Sequence, residues 1–182
     1  MPDVVKNINA PVTEIPIYEK SYSEQKNIKP PIEGACEYFL TDENLKNGSS
    51  RLLEILREMK IKPRWVSKNT YDYFYKRKKI ATLRFRTKNN ICISVTIADK
   101  DDLEKIILSQ PDDLINEFAN RTISHCITCS PSCKFGVKFF IAGKERNFCS
   151  RFNYMRVNPT AEQFGIIEKY IDISKKYNDG KK

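Results

Sequence analysis

The residues best suited to chemistry are the cysteines. The segment His125-Cys126-Ile127-Thr128-Cys129-Ser130-Pro131-Ser132-Cys133 holds three thiols, and Cys149 follows sixteen positions later. Two thiolates separated by two residues can meet one tetrahedral ion from a tight turn, with sulfur–zinc distances of about 2.3 Å. Cys133 adds a third ligand from the same loop and Cys149 a fourth. Cys126, Cys129, Cys133 and Cys149 are therefore expected to hold a structural zinc ion, closed to substrate. Competing readings are an iron–sulfur cluster, whose bacterial spacing differs, buried thiols, and a Cys126–Cys129 pair that oxidises reversibly. One geometric condition applies. A turn at Gly143-Lys144-Glu145 would put Cys149 opposite roughly Phe140, leaving an extended Cys133 about 20 Å away. The loop would then have to fold back, or His125, Cys36 or Cys92 would be the fourth ligand.

The second chemical feature is charge. The chain carries +9, and the stretch from Lys60 to Lys88 holds eleven Lys or Arg against one acid, Asp72. That stretch accounts for the whole excess. Its cations are interleaved with Trp65, Tyr71, Tyr73, Phe74, Tyr75 and Phe85. Cations for phosphates and aromatics for bases are what a single-strand binder needs, so Lys76, Arg77, Lys78, Lys79, Arg84 and Arg86 are candidate nucleic-acid (polyanion) contacts. The competing reading is that the aromatics are core and the basic turns are solvated edges that discourage aggregation. Neither a zinc-finger histidine pair nor an aromatic ribonucleoprotein motif is present.

Catalytic constellations are missing from the sequence. The one histidine, His125, adjoins Cys126, and successive strand residues face opposite ways. There is no nucleophile elbow and no phosphate-cradling glycine loop. The run Asp99, Asp101, Asp102, Glu104 lacks calcium-loop spacing and reads as helix-start chemistry. A redox role for Cys126 and Cys129 would want a thioredoxin-like βαβ setting. A non-enzymatic binding domain is the expectation, with a thiol redox protein as an alternative.

The elements that must position these groups follow from periodicity. Leu52, Leu53, Ile55, Leu56 and Met59 predict an amphipathic helix over 50–60, with Gly48-Ser49-Ser50 as turn and cap. Period-two alternation predicts three strands, at Tyr71–Lys76, Ala81–Arg86 and Ile91–Ala98, joined as a meander by turns at Arg77-Lys78-Lys79 and Lys88-Asn89-Asn90. Asp101 and Glu104 have capping-box spacing for a short helix to Leu108, and Pro111 opens the next, facing inward through Leu114, Ile115 and Phe118. A hairpin is expected from Val137–Ala142 and Phe148–Val157. Asn158-Pro159 starts a C-terminal helix that packs on the sheet, with a frayed end at 178–182. The fold class is α+β: an antiparallel meander plus a later hairpin, packed by amphipathic helices. Prolines at 2, 11, 16, 30 and 31 suggest an extended or mobile arm over 1–40, followed by one domain over 41–178 with a cysteine-rich loop at 125–149. No apolar run is long enough to span a membrane, and no export signal is read, so a cytoplasmic protein is expected.

Trp65, Tyr75-Lys76, the Cys126/Cys129/Cys133 cluster, Gly143-Lys144-Glu145, Cys149 and Asn158-Pro159 occur in an order that resembles a group of uncharacterised bacterial proteins. The resemblance spans about residues 50–177. It implies a single domain and makes the cysteines part of a pattern, but implies no activity.

Overall fold

The computed structural model describes residues 15–120, 136–149 and 153–181. The order of elements is α1 (Tyr22–Ile28), α2 (Ile32–Phe39), α3 (Glu43–Glu58), β1 (Lys62–Ser67), β2 (Thr70–Tyr75), β3 (Lys78–Thr87), β4 (Asn90–Val95), α4 (Leu103–Leu108), α5 (Asp112–Ala119), β5 (Gly136–Ile141), β6 (Lys144–Cys149), β7 (Tyr154–Val157) and α6 (Ala161–Gly180). The expected α+β class is what forms: a five-stranded antiparallel sheet, ordered β1-β2-β3-β4-β7, and a separate β5-β6 hairpin.

Register explains the burial. Tyr73, Ala81, Val95 and Tyr154 form one cross-strand row, and Tyr71, Leu83, Ile93 and Arg156 the next. All eight are buried. The helices pack on this face: the Tyr170 ring of α6 lies 4.6 Å from that of Tyr154, and Ser174 Oγ donates to the carbonyl of Thr96 at 2.7 Å. The alternate residues point the other way, and there Arg84 and Arg86 are exposed.

Several expectations need correcting. Residues 22–39 form two helices rather than an extended arm. Pro30 and Pro31 break the chain between helices instead of keeping it extended, and Ile32, Ala35, Cys36 and Phe39 enter the core. A buried polar knot fixes this segment to the β1–β2 turn. Gln25 donates to the carbonyl of Tyr18 (3.2 Å) and accepts from the Asn69 amide (3.1 Å), while Asn69 Nδ2 donates to that same carbonyl (3.0 Å). Such a knot is invisible to hydrophobic periodicity.

The 50–60 helix starts earlier, at Glu43, because Asp42 caps it through the Leu45 amide at 2.9 Å. Gly48 therefore lies inside α3, where it lets α6 approach. A Cβ there would lie 2.8 Å from Cγ of the buried Phe164 ring and closer still to two further ring carbons. Gly48→Ala should gain up to about 1 kcal/mol of helix propensity and lose about 1–3 kcal/mol to overpacking. Net destabilisation is expected in urea unfolding; a stabilised variant would show that the two helices part freely.

β1 is a strand that the alternation did not announce. Its proline, Pro63, sits on the edge strand, where a missing N–H is tolerated. The Asp101 capping box does not form: α4 is capped from Asp102, without a side-chain cap bond. Asp99 and Asp102 instead hold Lys181 at 2.8 and 3.0 Å, and Asp102 accepts from Tyr177 at 2.6 Å. These bonds hold both carboxyls below the usual range. With Asp179 bound to Tyr75 and Lys76, they keep α6 helical to Gly180, where fraying is expected. α6 itself begins at Ala161, after a Thr160–Gln163 capping box, so Pro159 precedes the helix instead of occupying its first turn.

Candidate functional site

The basic stretch becomes β1, β2, β3 and their turns. Lys76 and Arg77 both have positive φ (44° and 67°), the backbone of a tight hairpin turn. The turn is therefore Lys76-Arg77, and Lys78 and Lys79 belong to β3. The six candidate cations separate into two groups. Lys76 is bound to Asp179 at 2.6 Å, and Lys79 lies 3.7 Å from Asp72, whose carboxylate also accepts from Thr82 at 2.6 Å. Arg77, Lys78, Arg84 and Arg86 are exposed and make no ion pair among the described residues. Arg84 lies across from Thr70 and Cys92, and Arg64 of β1 lies across from Asp72, so both arginines point away from the helices.

The interleaved aromatics divide by the same alternation. Tyr71, Tyr73 and Phe85 are 2%, 1% and 2% exposed. They are core and cannot stack on a base. Trp65, Phe74 and Tyr75 are half-buried, with the Arg64 guanidinium 6.0 Å from the Phe74 ring centre. The outer face thus offers cations far more than stacking platforms.

Of the four expected zinc ligands, Cys126, Cys129 and Cys133 lie outside the described residues, as does His125. Cys149 ends β6 and is half-buried. Among the described residues no three His, Cys, Asp or Glu side chains are grouped to hold a metal ion. Ala142 and Gly143, with φ of 49° and 75°, form the β5–β6 turn, and Lys144 and Glu145 are strand residues. Cys149 consequently pairs with Gly136, not Phe140. The misplacement came from reading Gly-Lys-Glu as the turn; the residue that precedes glycine takes the left-handed conformation here.

The alternative thiols are poor ligands. Cys36 is 5% exposed in α2, and burial, followed by Glu33 and Glu37, pushes its pKa up to about 12. Cys92 is 8% exposed, and burial raises its thiol pKa although Arg86 and Arg84 oppose it. A thiol held protonated is neither nucleophile nor metal ligand.

Sequence reasoning missed a buried ion pair. Arg156 of β7 points to the helix side, with its side chain 4% exposed, and bonds to Glu117 of α5. Glu117 Oε1 also accepts from Tyr154 at 2.8 Å. The alternation Tyr154, Met155, Arg156 in a short strand was the available signal.

No family model, curated protein or solved structure matches this chain. Among the described residues, no helix is long and apolar enough to cross a membrane.

Proposed function

We propose that this chain is a non-enzymatic binding domain for a polyanion, single-stranded nucleic acid, through the basic surface of β1–β3. The observation that carries the reading is that Arg77, Arg84 and Arg86 are exposed on one hairpin without carboxylate partners among the described residues. Exposed cations along one hairpin raise the local concentration of a phosphate chain. With most of the aromatics in the core, affinity at this face comes from phosphate contacts and depends steeply on salt.

Three phosphate contacts to a single strand give a slope of about −2 in log affinity against log salt, at about 0.7 per contact. Fluorescence anisotropy with a labelled homopolymer should show it. Arg84→Gln with Arg86→Gln should flatten the slope by about 1.4. Binding that ignores salt, or is unchanged in this variant, would sink the reading.

A second proposal, a structural zinc ion on Cys126, Cys129, Cys133 and Cys149, gains support from the hairpin register. Cys133 precedes Gly136 by three residues, which span at most about 11 Å, and Gly136 is paired with Cys149. The earlier separation of about 20 Å thus disappears. Zinc held this way would staple the loop to the hairpin. The resemblance to the bacterial group is consistent with such a pattern.

A further inference from the structure

A groove of about 590 Å³ runs between the α1–α2 segment and the edge strand β1. Lys26, Lys29 and Arg64 line it, and all three are exposed. Its one acid, Glu33, is engaged with Arg57 at 3.4 Å. The floor and walls are aromatic and proline surface, including Trp65 and Tyr22, whose rings stack at 5.7 Å with 20° between planes. Tyr22 is 49% exposed and forms the open wall.

Two buried donors at this end of the sheet have no acceptor among the described residues. Trp65 Nε1 is one, and it can only donate. The hydroxyl of Tyr73 is the other; its side chain is 1% exposed and lines an adjoining pocket of about 280 Å³ that shares Ile32, Glu33 and Pro63 with the groove. An unsatisfied buried donor costs about 1–3 kcal/mol. A ligand that brings an acceptor recovers this.

The chemistry asked for is a flat ring to lie on Trp65 in place of Tyr22, an acceptor for the Trp65 N–H, and a dianionic group for Lys26 and Lys29. We infer that the groove binds a nucleoside monophosphate unit, with its base at Trp65 and its phosphate on Lys26 and Lys29. The unit is either a free nucleotide or the phosphorylated end of a strand. In the second case the inference rests on the polyanion reading, because the rest of the strand would run onto the basic outer face of the sheet.

The test exploits the single tryptophan of the chain. Adenosine monophosphate added to the full-length protein should quench Trp65 emission saturably, whereas adenosine lacking the phosphate should bind at least about tenfold more weakly. Lys26→Gln with Lys29→Gln should weaken the nucleotide about tenfold or more, with the melting temperature unchanged. Tyr22→Ala should preserve binding while shifting the emission of the free protein. A terminally phosphorylated oligonucleotide that displaces the nucleotide identifies a strand end; failure to displace identifies the free nucleotide. No quench and no heat of binding up to about 1 mM ligand, a free energy near −4 kcal/mol, would overturn the inference. So would a quench indifferent to the Lys26 and Lys29 substitutions. Arg84→Gln with Arg86→Gln separates the two proposals: it should flatten the salt dependence of polymer binding and leave the Trp65 quench intact.

Discussion

Glu117→Ala is expected to cost about 3 kcal/mol, the low end of what breaking a buried ion pair takes. Glu117 Oε1 receives Arg156 Nε at 3.0 Å, Arg156 Nη2, and the Tyr154 hydroxyl at 2.8 Å. Removing it takes the Glu117 carboxylate away from a guanidinium at 4% side-chain exposure. The low end applies because Glu117 is itself 21% exposed and its backbone carbonyl still accepts from Arg156 at 3.4 Å. Against a usual total of about 5–15 kcal/mol the loss is large. The pair is not thereby a net source of stability, since desolvating both ions offsets their attraction. Glu117→Leu combined with Arg156→Met should lie within about 1 kcal/mol of the parent. Urea midpoints of the three proteins decide it. A Glu117→Ala protein as stable as the parent would mean that solvent reaches the guanidinium.

The same pair shows where sequence reasoning stops. Periodicity reported the sheet faithfully wherever a face was apolar: Ala81, Leu83 and Phe85 face the helices and Arg84 and Arg86 face away, as their alternation implies. Arg156 breaks the rule because its partner comes from another element, thirty-nine positions away. The N-terminal helices were lost for a related reason. α1 is short and polar, and the contacts that hold it, Gln25 to Asn69 and to Tyr18, are buried hydrogen bonds with no periodic signature. Turn chemistry failed by one or two residues in both hairpins. Lys76-Arg77 and Ala142-Gly143 take positive φ at residues that do not ordinarily favour it, glycine excepted. Strand register carries such an error along the whole hairpin, which is how Cys149 came to be placed opposite Phe140.

Loss of zinc is the largest effect expected if the proposed site is occupied. A structural zinc supplies on the order of 10 kcal/mol of apparent folding energy in small domains. Here its reach would be more local, because the five-stranded sheet and α6 have a core of their own, while β5–β6 is a separate two-stranded hairpin. Phe139 and Phe148 of that hairpin stack at 4.5 Å and press on Phe118 of α5 at 6.2 and 4.7 Å. Metal analysis should find one zinc per chain, and Cys149→Ser should lower the content sharply. Chelation should bring rapid amide exchange to 136–149 first, and then lower the melting temperature. Cys36→Ser and Cys92→Ser serve as controls: both thiols are buried and held protonated, so either change should cost stability without altering metal content. Metal-free protein with the melting temperature and exchange pattern of the fresh preparation would rule the site out, and the Cys126–Cys129 pair would then be the group to examine for reversible oxidation.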